Sequence, residues 1–238
     1  MVIISGMGAE AYKLAEIGAL VGDPTRASIL TELIGGRALT AGELATAAQI
    51  TPQTVSSHLA KLADARLIRV ERQGRHRYVA IASPEVAHML EAMLYLTGPE
   101  HRPATKVKAP RVHGALKRAR FCYDHVAGEL GVALCDAWVR AEYLHLDDHA
   151  AQLTAAGMEF CHRFELSLPA RSKRPLCRTC LDWSERRPHL AGQLGQGLAQ
   201  CLLDRGWIER ASQGRVVSIT PAGLAGMREQ FGIALEPI

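Results

Sequence analysis

Apolar residues recur along the first hundred positions at spacings that predict a run of short helices. Ala11, Leu14, Ala15, Ile17, Gly18 and Leu20 share one face of a helix starting near Ala9. In "GDPTRASILTELIGG", Asp23 suits an N-cap, Pro24 the first helical position, and Gly35-Gly36 the stop. Ile29, Leu30 and Leu33 supply its buried stripe. Thr40 and Glu43 then form a capping-box pair that opens a helix to about Gln49. A short turn at Ile50-Thr51 leads to Pro52, which opens another helix to about Ala65. Leu44, Ala45, Ala48, Ile50, Val55, Leu59 and Leu62 give the two helices a common apolar side, the pattern of a helix-turn-helix. "LIRVERQGRHRYVAI" alternates as a hairpin turning at Gln73-Gly74, and residues 83–96 return to helical spacing. In that last helix Met89, Leu90, Met93 and Leu94 form a stripe suited to dimer packing against the N-terminal helix.

The polar positions change the picture. The second helix of the pair turns outward Gln53, Thr54, Ser56, Ser57, His58 and Lys61, short hydrogen-bonding groups suited to base edges and phosphates in a major groove. The hairpin tip gathers Arg69, Arg72, Arg75, His76 and Arg77, a basic wing placed to follow the phosphate backbone. Candidate DNA contacts are therefore Thr40, Gln53, Thr54, Ser56, Ser57, His58, Lys61, Arg72, Arg75 and Arg77.

Taken together, "LVGDPTRASILTEL", "LTAGELATAAQITPQTVSSHLAKLADARLI" and "VERQGRHRYVAI" resemble the ArsR/SmtB family of winged-helix repressors over residues 9–96. The resemblance implies a homodimer on double-stranded, palindromic operator DNA, released when an inducer binds. One departure matters. Where many metal sensors of that family carry cysteine after the Glu-Leu, "ELATAAQ" has Ala45 and Ala47, which offer no ligand atom. Along the last helix Glu85, His88 and Glu91 lack the spacing of the other common site, and His88 reads as a half-exposed surface residue. If an inducer is sensed, its site lies elsewhere.

Residues 125–144, "HVAGELGVALCDAWVRAEYL", match residues 189–208, "HLAGQLGQGLAQCLLDRGWI", 64 positions on. Upstream "CYD" at Cys122 resembles "CLD" at Cys180, and downstream "LTAAGM" matches "ITPAGL". An internal duplication follows from this register. Each copy reads as a long helix, a strand or hairpin, and a helix opening at T-x-A-G. Glycine inside a helix costs about 1 kcal/mol relative to alanine, so its recurrence in both copies predicts that they pack pseudo-symmetrically on the glycine faces. The layout also resembles a long-form subgroup of ArsR-type regulators. The expected fold is mainly α with small β wings (α+β). A winged helix-turn-helix occupies residues 1–98 and a basic, proline-containing linker residues 99–112. A winged-helix-like, duplicated effector domain follows over 113–238, with repeats at about 120–165 and 180–232.

Six cysteines without a secretory signal suggest free thiols or ligands, and the chain carries no apolar run long enough to span a membrane, so a cytoplasmic location is expected. A net charge of +4 permits a nucleic-acid partner without requiring one. Cys122-x-x-His125 and Cys177-x-x-Cys180, with His189, are candidate sensing residues. Because Cys177 has no counterpart in the first copy, a pseudo-symmetric pocket would use Cys122, Cys180 and the two histidines. Such donors suit zinc, cadmium or copper, or arsenic with further thiolates. Thiol oxidation, a small organic effector, or a purely structural role for Cys122 and Cys180 remain open alternatives. Arg178, Arg186 and Arg187 are expected to lower a nearby thiol pKa. Asp182, Trp183, Glu185 and Arg186 suit a first helical turn, and Cys135 and Cys201 suit the core. A thiol oxidoreductase built on the C-x-x-C is a remote alternative, since the pair lacks a β-α-β setting and no hydrolase or P-loop motif occurs.

Overall fold

The computed structural model describes residues 9–73, 76–96, 114–146, 151–168, 174–212 and 214–235. Two compact units divide the chain, Met1–Ala87 and His88–Ile238.

The first unit runs α1 (Ala9–Val21), α2 (Pro24–Leu33), β1 (Leu39–Thr40), α3 (Ala41–Ala48), α4 (Pro52–Asp64), β2 (Ile68–Gln73) and β3 (His76–Ile81), then enters α5 (Pro84–Leu96). Local chemistry sets the helix starts. Asp23 accepts from the Arg26 amide at 2.9 Å. Thr40 donates its amide to Glu43 Oε2 at 2.7 Å and accepts from the Glu43 amide, closing the capping box. Gln49 at φ 55° ends α3 in the left-handed region, and Thr51 then caps α4. Ile29, Leu30, Leu33, Leu44, Val55 and Leu62 are fully buried between these helices. The sheet order is β1-β3-β2, so the expected hairpin gains a third, two-residue strand ahead of α3. Periodicity does not register so short a strand.

The division between units falls inside α5 rather than in the basic segment expected as a linker. Residues 99–112 lie outside the described residues. The end of α5 packs within the second unit, where Glu91 forms a buried ion pair with Arg215.

The second unit places α6 (Gly114–Arg118) ahead of two runs with the same element order. The first is β4 (Arg120–Cys122), β5 (His125–Ala127), α7 (Glu129–Arg140), β6 (Leu144–Leu146), β7 (Ala151–Leu153) and α8 (Ala155–Arg163). The second is β8 (Arg178–Leu181), β9 (Pro188–Ala191), α9 (Gly192–Asp204), β10 (Ile208–Arg210), β11 (Val217–Ile219) and α10 (Pro221–Phe231). All four strand pairs are antiparallel hairpins. The long helices expected from His125 and His189 are corrected here, because each histidine sits on a strand and the helix starts only after it. Gly128 at φ 81° and Gly192 at φ 74° make that change of direction, a backbone region glycine enters without strain.

The two runs pack crosswise, α7 on β9 and α9 on β5. A β-carbon on Gly131 would overlap the Val126 carbonyl and meet His189 Cβ at 3.5 Å. One on Gly195 would overlap the Leu190 carbonyl and meet His125 Cβ at 3.2 Å. Those glycines let each helix press against the other run's histidine strand. Thr154 and Thr220 cap α8 and α10 at the T-x-A-G motifs. Phe121, Trp138, Phe160, Leu194, Leu202 and Met227 belong to one continuous core, which also takes in Cys135, Cys161 and Cys201.

Candidate metal centre and DNA-facing surface

Hairpin register brings thiol and imidazole together twice. Cys122 pairs across β4–β5 with His125, and Cys180 pairs across β8–β9 with His189. In the first hairpin two residues separate the partners and in the second eight, yet the cross-strand geometry is the same. The crosswise packing then superposes the two pairs, and one ligand atom from each of Cys122, His125, Cys180 and His189 lies within 4.8 Å of the others. Cys122, His125 and His189 are buried to 1% exposure, and Cys180 is half-buried. The two imidazoles stand 5.1 Å apart, centroid to centroid.

A carboxylate two residues beyond each cysteine lies beside a histidine, hydrogen-bonded to His125 and within ion-pair distance of His189. His125 Nδ1 lies 3.2 Å from Asp124 Oδ1, and His189 Nδ1 lies 3.5 Å from Asp182 Oδ2. Each aspartate is held by an arginine from the other run's side: Asp124 by Arg174, and Asp182 by Arg120 at 2.9 Å. Asp182 also accepts from the amides of Gly128, Ser184 and Glu185 at 2.6, 2.9 and 3.0 Å. Burial opposes the Asp182 charge, but Arg120 and His189 outweigh it and hold its pKa well below the usual carboxylate range. The Nε2 atoms of His125 and His189 are buried and have no hydrogen-bond partner. Unpartnered polar atoms in a dry interior are costly. A carboxylate on Nδ1 with a free Nε2 is the arrangement that presents Nε2 to a metal ion.

Charge within the cluster follows from its geometry. The Cys180 pKa is lowered from the usual thiol range, first by the Cys122 thiol and then, against burial, by His125 and His88. Cys122 keeps its proton, pushed up by its contact with Cys180 and by burial. Burial alone would push His125 down, but Asp124 and Cys180 outweigh it and raise it. His189 is held neutral by burial and by the charge of His125. The expectation that Arg178, Arg186 or Arg187 lowers the thiol pKa is corrected: Cys122, His125 and His88 do so. Arg187 instead reaches Asp136 at 2.7 Å, and Arg186 lies 5.9 Å from the Tyr95 ring.

Cys177 stands apart from this cluster. It precedes β8, packs against the core near Cys161, and burial raises its pKa to about 11. Cys177 sits in the bend before β8 while Cys180 is on the strand, so the C-x-x-C spacing does not bring the two sulfurs into one cluster here. Asp182, Trp183, Glu185 and Arg186 form the loop of the β8–β9 hairpin, not a helical turn. Trp183 is buried there, 4.4 Å from the Arg120 guanidinium. All six cysteines are free thiols.

On the first unit, Gln53, Thr54, Ser56, Ser57 and Lys61 are exposed along α4, and Arg72 and Arg77 face each other across the wing and are exposed. Arg75 lies outside the described residues. Two candidates are turned to other work. The His58 ring approaches Asp23, Nδ1 to Oδ1 3.9 Å, and is half-buried, and the Thr40 hydroxyl is taken up by Glu43 at 2.8 Å. The Ser56 hydroxyl donates back to the Pro52 carbonyl at 2.9 Å, and that of Thr54 pairs with Thr51. Ser57 and Gln53 are exposed, and among the described residues neither side chain is taken up by a hydrogen bond within α4.

Residues 21–71 match the helix-turn-helix domain family. The HTH-type transcriptional regulator YdfF of Bacillus subtilis is 37% identical over 227 residues, covering 93% of this chain and 98% of its own length. Among solved structures, the antimony-specific transcriptional repressor AntR is 34% identical over 38% of this chain and 81% of its own, with a TM-score of 0.35. The homodimeric winged helix-turn-helix domain of Mb0332 from Mycobacterium bovis, a possible ArsR-family regulator, is 23% identical. It covers 44% of this chain and all of that fragment, with a TM-score of 0.35. Among the described residues, no helix is long and apolar enough to cross a membrane.

Proposed function

Since the chain belongs to the helix-turn-helix transcriptional regulators, with a winged-helix unit of the ArsR/SmtB type, we propose that it is a metal-responsive repressor. Its second unit binds one thiophilic divalent cation through Cys122, His125, Cys180 and His189. The homodimer holds operator DNA through α4 and the wing, and the bound cation weakens that hold. The observation that carries this reading is the convergence of two thiols and two buried imidazoles whose Nε2 atoms have no hydrogen-bond partner among the described residues.

The donor set narrows the cation. Tetrahedral zinc with Zn–S near 2.3 Å and Zn–N near 2.0–2.1 Å needs donors about 3.3–3.8 Å apart. The four donor atoms lie within 4.8 Å of one another, so closure by about 1 Å at most would complete the shell. Two sulfurs with two imidazole nitrogens suit zinc or cadmium. Arsenic would call for further thiolates, and Cys177, the nearest in sequence, stands beside Cys161 instead. Binding would release the Cys122 thiol proton and the proton His125 carries when charged, both to solvent, because the ligands are the thiolate and the neutral imidazole.

The test is fluorescence anisotropy on a duplex selected from random-sequence DNA by the metal-free protein. Zinc is expected to raise the Kd and a chelator to restore it, while a Cys122→Ser/Cys180→Ser variant binds DNA and ignores zinc. Zinc binding at the cluster with no change in DNA Kd would overturn the sensing role and leave a structural staple. Failure to select any duplex would overturn the DNA-binding role.

A further inference from the structure

The symmetry of the second unit decides which thiols meet. Its packing is reciprocal, Gly131 against His189 and Gly195 against His125, the mark of a pseudo-twofold relation. Residues face their own counterparts only near such an axis, and Cys122 with Cys180 stands there, the two sulfurs within 4.8 Å of each other. Their surroundings are unequal. Cys122 is buried in β4. Cys180 is half-buried and borders an open groove of about 530 Å³, with Thr179, Leu181, Met89 and Met93 around it. Every residue lining that groove belongs to the second unit. Cys135, Cys161 and Cys201 lie in the core, and Cys177 sits in the bend before β8, outside the cluster. One thiol is thus open to a small solute and has a second, sheltered thiol behind it.

We propose that Cys122 and Cys180 are a site of oxidative modification, joined in a reversible disulfide by a hydroperoxide when no cation is bound. The disulfide stands on this geometry alone, and its exclusion by a cation rests on the metal reading above. The Cys180 sulfur attacks one peroxide oxygen and the O–O bond breaks. The thiol proton leaves with the departing oxygen, as water when the oxidant is hydrogen peroxide, and Cys180 becomes a sulfenic acid. The Cys122 sulfur then attacks the Cys180 sulfur and the S–O bond breaks. That oxygen leaves with the Cys122 proton as water. Two thiols have lost two electrons and the peroxide has gained them. A disulfide needs its sulfurs about 2.05 Å apart, and the groove gives Cys180 room to change rotamer toward Cys122. Burial keeps the oxidant from Cys122, which acts only in the second step and consumes the sulfenic acid before further oxidation. A cation held by both sulfurs occupies the electron pairs these steps need, and the disulfide removes two of the four ligands. Each state therefore excludes the other.

The experiment exposes full-length protein, metal-free or zinc-loaded, to a small excess of hydrogen peroxide, then counts thiols in denaturant and maps disulfide-linked peptides. Metal-free wild type is expected to lose two of its six free thiols and to yield one linked pair, Cys122 with Cys180. Once oxidised it is expected to take up no zinc, and dithiothreitol is expected to restore both thiols and zinc uptake. Zinc-loaded wild type is expected to keep all six thiols. Cys122→Ser is expected to stop at a Cys180 sulfenic acid that dimedone labels, and Cys177→Ser to form the wild-type disulfide. Circular dichroism reports whether each variant folds, and the wild-type peptide map decides the matter without them. Retention of all six thiols in metal-free wild type, or a disulfide joining Cys177 to Cys180, would overturn the proposal. Equal thiol loss with and without bound zinc would overturn the mutual exclusion. A wild type that forms the Cys122–Cys180 disulfide but binds no zinc when reduced would instead overturn the metal reading and leave the modification standing.

Discussion

Arg120 Nη2 lies 2.9 Å from Asp182 Oδ2, with both side chains wholly buried and 62 positions apart in the chain. The pair joins the first strand of one run to the hairpin loop of the other, and Asp182 in turn lies 3.5 Å from His189 Nδ1. Breaking a buried ion pair from one side leaves the other charge uncompensated. Arg120→Met is therefore expected to destabilise the protein by about 3–5 kcal/mol in urea unfolding. Arg187→Met removes the exposed pair with Asp136 and is expected to cost less than about 1 kcal/mol. Equal effects would contradict the place given to Asp182.

The matched glycines make a second contrast. Gly131→Ala and Gly195→Ala each force a β-carbon into a backbone carbonyl, and each is expected to lose at least about 1–3 kcal/mol despite alanine's better helix propensity. Gly18 in α1 has nothing within 4 Å of an added β-carbon, and Gly18→Ala is expected to gain up to about 1 kcal/mol. Thermal unfolding of the three variants checks the sign of each change.

Much of this was legible in the residues, and the failures have physical reasons. Caps at Asp23, Thr40, Thr51, Thr154 and Thr220 depend on local hydrogen bonds, so sequence alone locates helix starts there. Pairing Cys122 with Cys180 and His125 with His189 follows from register between the repeats. The strands that carry them did not show, because three- and four-residue strands flanking a hairpin leave little period-2 pattern. Unequal hairpin loops also hid the common Cys–His geometry, while the C-x-x-C spacing drew attention to Cys177. His88 is half-exposed, as its setting in the sequence suggests. The carboxylates behind both histidines were present as "CYD" and "CLD", a signal that only the three-dimensional arrangement gives meaning.

Acid should loosen the first unit through its capping box. The Glu43 pKa is lowered by the Thr40 amide and hydroxyl. A carboxylate depressed in the folded state contributes stability above its unfolded value, near 4.3, and loses it as pH falls through the folded value. Glu43→Ala is expected to be less stable than wild type by about 1 kcal/mol at neutral pH, with the gap closing as pH falls through the lowered folded pKa of Glu43. Denaturant midpoints across that range give the readout, and a gap that widens in acid would contradict the cap.

On DNA, the wing and the recognition helix should separate. Arg72→Ala is expected to weaken binding to selected and scrambled duplexes alike and to reduce the salt slope by about one. Ser57→Ala is expected to narrow the ratio between them by a factor on the order of 5–10. Salt titrations on both duplexes distinguish the two, and equal losses from both variants would contradict the assignment of roles.

The most direct measurement is X-ray absorption on the zinc-loaded full-length protein, with zinc content determined for wild type, Cys177→Ser and Cys122→Ser. One zinc per chain in a shell of two sulfurs and two imidazole nitrogens, kept in Cys177→Ser and lost in Cys122→Ser, is the expected result. A protein that retains no zinc, or a shell that depends on Cys177, would contradict it.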